Sequence, residues 1–73
     1  MANKTTKFLM LAQNIKTARK AKQLSQNKLA EMLDISREHL AKIETAKRGI
    51  SLNLLFKLAE VLNIKEKDLL NFD

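Results

Sequence analysis

The sequence predicts an all-α fold of five helices in one compact domain, and three observations carry this prediction. Proline is absent and Gly49 is the single glycine, so the usual residues of β-turns are missing. Good helix formers such as Leu, Ala, Lys, Glu and Gln dominate the composition. Apolar residues recur at spacings of three and four. A chain of 73 residues favours one domain. We expect residues 1–6 to form a flexible tail and residues 7–73 to form the domain.

The first helix is predicted from the spacing of its apolar residues. Leu11, Ile15 and Ala18 follow the i, i+4, i+7 pattern of one helix face. The polar residues before Thr6 show no such pattern. We therefore predict a helix from about Thr6 to Lys22.

The starts of the other four helices are marked by a repeated local pattern. A hydrophobic residue that precedes a helix N-cap often packs on a residue five positions later, in the second helical turn. Four pairs have this spacing: Leu24 and Leu29, Ile35 and Leu40, Ile50 and Leu55, and Ile64 and Leu69. The residue after the first member is Ser25, Ser36, Ser51 or Lys65, and serine is a favoured N-cap whereas lysine is not. The pattern predicts helix starts near Gln26, Arg37, Leu52 and Glu66.

Short turns should connect these helices. Helix two is predicted to end near Leu33, so that Asp34-Ile35-Ser36 forms the turn to helix three. Asp34 and Asn63 stand where a helix often ends in the left-handed conformation, which Asp and Asn tolerate better than most residues. In helix four, the residues expected to face the core are Leu52, Leu55, Leu58, Ala59 and Leu62.

The charge distribution favours a polyanionic partner. The net charge is +6, and residues 1–24 carry six basic side chains and no acidic one. Such asymmetry is typical of a protein face that binds nucleic acid, but an ordinary lysine-rich surface that maintains solubility would look the same. Composition by itself leaves both interpretations open.

Several function classes are disfavoured. Cysteine is absent and His39 is the only histidine, so we expect no disulfide, no metal site and no cofactor. As catalytic groups, Ser36 and His39 would need an orienting acid and a pocket, and a five-helix domain of this size offers little room for one. We therefore expect neither catalytic residues nor a small-molecule ligand. The apolar run at residues 8–12 is too short for a signal peptide or a membrane span. We therefore expect a cytoplasmic protein without enzymatic activity.

A helix, a three-residue turn and a second helix make a helix-turn-helix. The segment from Leu24 to Ala46, LSQNKLAEMLDISREHLAKIETA, resembles that motif in the lambda-repressor-like, Cro/C1-type (XRE) family of bacterial regulators. The resemblance extends from about Leu11 to Leu70. The residues that carry it are Ser25-Gln26, Leu29-Ala30, Asp34-Ile35-Ser36, Ile43-Glu44, Ser51-Leu52, Leu55 and Leu58-Ala59.

Three residues depart from the family pattern. Asp34 replaces the usual glycine of the turn, and Ala46 replaces the glycine that ends the recognition helix. Ile50 stands where a proline is frequent. The substitution at Ala46 makes the end of helix three the least certain feature of the motif.

The resemblance implies a sequence-specific regulator that binds double-stranded DNA, most simply a repressor. Helix three would be the recognition helix, with Leu40 and Ile43 toward the core. Its opposite face would present Arg37, Glu38 and Lys42, which match the family's base-reading positions. Arg and Lys can donate to guanine and Glu can accept from cytosine. Alternatively, Glu38 and Lys42 could simply form an i, i+4 ion pair on an exposed surface.

The resemblance also implies phosphate contacts and one structural ion pair. The residues that match phosphate-binding positions are Gln26, Ser36, Lys47, Arg48 and Gly49. For these residues the alternative is an exposed basic turn. Arg19 and Glu44 match a partly buried pair that would hold helix three against helix one.

Partners other than DNA are predicted from the surplus of apolar residues. One helix-turn-helix covers half of an operator, so a homodimer on a palindromic or pseudopalindromic site is expected. Leu54, Val61 and Phe72 fall outside the predicted core stripe and are candidate interface residues, unless they complete a small core. An antitoxin or adaptor that mainly binds another protein is the alternative function. No membrane partner is expected.

Overall fold

The computed structural model of the protein describes residues 2–72. Within that range it contains five α-helices and no strand. The helices are α1 (Ala2–Ala21), α2 (Gln26–Leu33), α3 (Arg37–Glu44), α4 (Leu52–Leu62) and α5 (Glu66–Leu69). The all-α prediction is confirmed, and α2 to α5 begin at the predicted residues.

Helix α1 begins earlier than predicted. Its first residue is Ala2 rather than Thr6, so the helix includes most of the segment expected to be a tail. Apolar spacing marks only the part of a helix that meets a core, and polar residues can continue the helix without contributing to that pattern. Met1 of the expected tail and Asp73 of the expected domain lie outside the described residues.

The three serine N-caps form as predicted. The Oγ atoms of Ser25, Ser36 and Ser51 accept hydrogen bonds from backbone N–H groups three residues later, at 3.0–3.1 Å. Each bond satisfies one of the N–H groups that a helix start leaves without a partner. At α5 the hydrogen bond has the opposite direction along the chain. The N–H of the N-cap residue Lys65 donates to the Oδ2 of Asp68, three residues later, at 3.4 Å.

Helices α1 to α4 all end in the same backbone motif. The residue after the last turn has a positive φ in each case: 60° for Gln23, 60° for Asp34, 61° for Ala46 and 55° for Asn63. Two hydrogen bonds close each end. In α2, for example, the N–H of Ile35 donates to the Ala30 carbonyl at 3.0 Å and that of Asp34 to the Glu31 carbonyl at 3.1 Å. This is the Schellman motif, here formed four times without glycine.

The core collects apolar residues from every helix. Its buried members are Ile15, Leu29, Ala30, Leu33, Leu40, Ile43, Leu55, Leu58, Ala59, Leu62 and Leu69. The first residue of each predicted hydrophobic pair packs against this cluster while keeping partial exposure: Leu24, Ile35, Ile50 and Ile64. In sequence each apolar pair spans only five positions, and in the structure all four pairs contribute to one core.

One expected core residue lies outside the core. Leu52 is 65% exposed, although its spacing from Leu55 and Leu58 suggested burial. It is the first residue of α4, and a helical side chain leans toward the helix N-terminus. This direction carries Leu52 past the edge of the core.

Helix α1 brings the first and last helices of the described fold into contact. It packs against α3 and α5, whereas α2 packs against α3 and α4. The side-chain amide of Asn14 donates to the backbone carbonyls of Leu69 and Asn71 at 2.8 and 2.9 Å. These bonds satisfy carbonyl groups at the end of α5 and hold the C-terminal segment on α1.

Candidate nucleic-acid interface

Helices α2 and α3 form the predicted helix-turn-helix. Its turn consists of Asp34 in the left-handed conformation, Ile35 packed against the core, and Ser36 as the N-cap of α3. These three residues determine where α3 begins. They also determine which side chains its first turn presents to solvent.

The solvent-facing side of α3 carries the predicted base-reading residues. Arg37, Glu38 and Lys42 are exposed, while Leu40 and Ile43 are buried. Arg37 and Glu38 lie in the first turn and Lys42 lies one turn later. An α-helix about 10–12 Å wide fits the major groove of B-DNA, where side chains of such a first turn can reach base edges.

Glu38 and Lys42 do not neutralise each other. Among residues 6–72, whose side chains the structure describes, the ion pairs are Arg19 with Glu44 and Lys28 with Glu31. The side chains of Glu38 and Lys42 therefore remain available to a ligand. The assignment of these residues to base reading stays a prediction.

The loop after α3 folds back on the last turn of the helix. The carbonyl oxygen of Lys42 accepts from the N–H groups of Lys47 and Arg48, at 2.9 and 3.2 Å. The Oγ1 of Thr45 lies 3.3 Å from the same oxygen. The backbones of three basic residues are thereby brought together at one end of the recognition helix. The side chains of Lys42, Lys47 and Arg48 are exposed, and their contact with a phosphate stays a prediction.

Gly49 follows this cluster and has no intramolecular reason to be glycine. Its φ is not positive, and a Cβ atom added there would meet nothing within 4 Å. A glycine is also selected where another backbone or a ligand approaches closely. Phosphate contact by the Gly49 amide remains a prediction that agrees with this open space.

The N-terminus of α2 lies against the last residue of α3. Ser25 caps the N–H of Lys28, which leaves the N–H groups of Gln26 and Asn27 without an intrahelical partner. The Gln26 side chain is half-buried, and its Nε2 donates to the Oε1 of Glu44 at 2.9 Å. Sequence reasoning identified Gln26 only as a phosphate contact and did not foresee this bond.

Arg19 and Glu44 form the ion pair that the resemblance implied. Arg19 Nε lies 2.7 Å from Glu44 Oε2, and Nη2 lies 3.2 Å from Oε1. Nη1 donates to the Leu24 carbonyl at 2.7 Å. Both residues are buried, and no buried side-chain polar atom among the described residues lacks a hydrogen-bond partner. The pair therefore joins α1, α3 and the turn before α2.

The candidate dimer residues differ in their surroundings. Leu54 and Val61 are half-buried and pack against the core. Phe72 is half-buried in an apolar groove that Phe8, Leu11 and Leu70 also line. The more exposed apolar residues of α4 are Leu52 and Phe56, at 65% and 49% exposure. Their i, i+4 spacing was visible in the sequence, but the assignment of Leu52 to the core hid it.

Two properties of the described residues concern other kinds of site. Among the described residues, no group of three or more His, Cys, Asp or Glu is arranged to hold a metal ion. No helix in residues 2–72 combines the length and apolar character needed to cross a membrane.

Comparison with known proteins identifies the family. A helix-turn-helix family model matches residues 15–69. The control protein C.BamHI of Bacillus amyloliquefaciens is 35% identical over 65 residues, which cover 88% of this chain and 80% of that protein. The control protein C.SmaI of Serratia marcescens is 34% identical over 61 residues, which cover 84% of this chain and 73% of that protein.

A solved structure gives the same answer for the fold. The crystal structure of the restriction-modification controller protein C.AhdI from Aeromonas hydrophila matches with a TM-score of 0.81 and 32% identity. The match covers 85% of this chain and 94% of that one. The chain therefore belongs to the Cro/C1-type helix-turn-helix family of DNA-binding transcriptional regulators.

Proposed function

We propose that the chain is a homodimeric repressor that controls the genes of a restriction-modification system. The observation that carries the DNA-binding part is the exposed face of α3, where Arg37, Glu38 and Lys42 point outward and form no ion pair with the described side chains of residues 6–72. The choice of system rests on three relatives, two named control proteins and one named a restriction-modification controller, each at least 32% identical. Since such a regulator acts on DNA, we assign it to the cytoplasm.

In this proposal, base recognition depends mainly on two cations. Arg37 donates two hydrogen bonds to guanine N7 and O6, and Lys42 donates to a second guanine. Glu38 accepts from cytosine N4, but its charge opposes nearby phosphates, so its contribution to affinity is the smallest of the three.

Phosphate contacts orient the domain on the duplex. Residues 7–73 act as one DNA-binding domain in this proposal. On one side of the groove, Gln26 and the free N–H groups at the start of α2 bind a phosphate, and Ser36 at the start of α3 contacts another. On the other side, Lys47, Arg48 and the Gly49 amide bind the opposite strand.

A dimer would let two copies read the two halves of an operator. Recognition helices of such dimers lie one helical turn of DNA apart, about 34–36 Å. We propose that Leu52 and Phe56 form the interface, because burying the most exposed apolar side chains of α4 removes the most apolar surface from water. Leu54, Val61 and Phe72 are the alternative interface.

The first experiment selects duplexes from a random pool and measures their affinity at several salt concentrations. Selected duplexes should bind ~10³-fold or more tightly than random DNA. Arg37→Ala should lose about 1–3 kcal/mol of discrimination at one base pair. Lys57→Ala is the matched control, because it removes the same charge from an exposed position on α4. Equal affinity for all sequences would refute the regulator proposal.

A second experiment tests the dimer. Sedimentation of the wild-type protein should give a dimer, and Phe56→Lys should shift it to monomer. Val61→Thr keeps the side-chain shape at the alternative interface and should leave the dimer intact. A loss of the dimer in Val61→Thr, but not in Phe56→Lys, would move the interface to the other flank of α4. A strict monomer with and without DNA would exclude the homodimer.

A reporter assay tests repression and the choice of system. The selected sequence should occur upstream of a gene for a restriction enzyme or for the regulator itself. Expression from that promoter should fall when the protein is supplied, and Arg37→Ala should restore it. Complete independence of the promoter from the protein would favour the alternative of a module that mainly binds another protein.

A further inference from the structure

Glu44 accepts three hydrogen bonds within a small buried network. Its side chain is 1% exposed. It accepts from Arg19 Nε at 2.7 Å, from Arg19 Nη2 at 3.2 Å and from Gln26 Nε2 at 2.9 Å. Arg19 alone would account for a structural ion pair between α1 and α3. The third bond reaches a different helix, and the ion pair does not require it.

The third bond ends on a residue at the edge of the DNA-binding face. Gln26 is the first residue of α2, next to the two backbone N–H groups that have no intrahelical partner. Its Nε2 carries two hydrogens, and the bond to Glu44 uses one. Among the described side chains and backbone, Nε2 donates no other hydrogen bond, so the second hydrogen remains for a ligand.

We propose that Glu44 is a positioning residue for DNA binding, which holds the Gln26 amide so that its remaining N–H donates to a phosphate. This inference rests on the proposed phosphate contact of Gln26. A carboxylate only accepts hydrogen bonds, so Glu44 binds the NH₂ end of the amide and not the carbonyl end.

Two physical effects follow from this arrangement. Without Glu44, the amide can rotate and turn its carbonyl oxygen toward the phosphate, which repels it. With Glu44, the amide is already ordered, so binding does not have to restrict it. Hydrogen bonding to an ionised acceptor also polarises the amide, which strengthens its second N–H as a donor.

The test uses duplexes in which one phosphate at a time is replaced by an uncharged methylphosphonate. The duplex is the one selected from the random pool. For the wild-type protein, replacement of the phosphate near α2 should weaken binding about tenfold, as expected for the loss of one charge-assisted hydrogen bond. Gln26→Ala should be clearly less sensitive to that replacement, because only the backbone N–H groups at the start of α2 remain to bind the phosphate. This reduced sensitivity identifies the phosphate.

The decisive variant carries Arg19→Met and Glu44→Met together. Replacing a buried ion pair by apolar residues of similar size often preserves the fold, and the net charge of the protein does not change. At the phosphate that Gln26→Ala identifies, this variant should be as weakly sensitive as Gln26→Ala, yet it should remain fully sensitive at phosphates near Lys47. Arg19→Lys, which retains Glu44 and its bond to Gln26, should remain as sensitive as the wild type. Thermal melts check that each variant is folded at the temperature of the assay.

NMR of the free protein separates this inference from the proposed function. The Gln26 side-chain amide protons should be well dispersed in the wild type and in Arg19→Lys, and averaged in the double variant. A double variant that keeps the full penalty at the Gln26 phosphate would overturn the inference, as would loss of sensitivity at all phosphates alike. An unchanged pattern in Gln26→Ala would remove both the phosphate contact and the inference. Ordered Gln26 without any sequence-specific binding would refute the proposed function instead.

Discussion

Four connections join the helices, and three of them are built differently from the fourth. The turns before α2, α3 and α5 each finish with the same three kinds of residue: one in the left-handed conformation, one apolar residue and one N-cap. The apolar residues are Leu24, Ile35 and Ile64, and each packs against the core. The connection from α3 to α4 is longer. After its left-handed residue, Lys47 occupies the position that an apolar residue has in the other three connections.

The backbone at the end of α3 is nevertheless the same. The N–H of Ala46 donates to the Ile43 carbonyl at 3.1 Å and that of Lys47 to the Lys42 carbonyl at 2.9 Å, as in the other three ends. A Schellman motif usually adds an apolar contact at the position that Lys47 occupies. The exposed lysine forgoes that contact. Three helix ends therefore place an apolar residue against the core, whereas the fourth presents a charged residue beside the recognition helix.

The largest expected effect is a difference in stability between alanine substitutions at two equivalent positions, Ile35 and Lys47. Ile35→Ala removes a residue that packs on the core and should lower the free energy of unfolding by about 2 kcal/mol, near the low end for buried residues because Ile35 is half-buried. Chemical denaturation measures this loss.

Lys47→Ala, at the matching position, should change the free energy of unfolding by less than about 0.5 kcal/mol. It should instead weaken binding to every duplex and lower the slope of log affinity against log salt by about one. If Lys47→Ala destabilised the fold as much as Ile35→Ala, the division between the two kinds of helix end would be wrong.

A smaller effect should follow from removing the side chain at Ala46. An alanine in the left-handed conformation costs roughly 1–2 kcal/mol, and glycine avoids this cost. Glycine also gives the unfolded chain more conformational freedom, which offsets part of the gain in stability. Ala46→Gly should therefore stabilise the protein by about 0.5–1 kcal/mol, measured by thermal unfolding.

Asn63→Gly is the control for Ala46→Gly. Asn63 has a similar φ of 55°, but asparagine tolerates the left-handed region, so the gain should be smaller. An equal gain in stability at both positions would contradict the premise that asparagine tolerates the left-handed conformation better than alanine does.

The smallest effect on stability is expected at Gly49. Gly49→Ala should change the free energy of unfolding by at most about 0.5 kcal/mol, because the added Cβ meets nothing within 4 Å. Its affinity for the selected duplex should fall if a phosphate approaches the Gly49 backbone. Unchanged affinity in a titration would remove Gly49 from the interface and leave Lys47 and Arg48 as the contacts of that loop.

Much of the fold could be predicted because its signals are local. A serine cap, an apolar pair five residues apart and a left-handed Asp or Asn act within one or two helical turns. The exposed face of α3 followed from Leu40 and Ile43 in the same way. Gln23 was missed as a left-handed residue, because glutamine has no special preference for that conformation and only the turn geometry reveals it.

Three features could be predicted from the residues alone: the starts of α2 to α5, the capping of the helix-turn-helix, and the exposed face of α3. Those outcomes depend on residues close together in the chain. The tertiary structure was needed to show two hydrogen bonds between distant residues. Gln26 donates to Glu44, 18 residues away, and Asn14 donates to the carbonyl of Leu69, 55 residues away. The tertiary structure also decided that Leu52 lies past the edge of the core. Contacts between distant residues depend on how whole helices pack, and no local pattern records that packing.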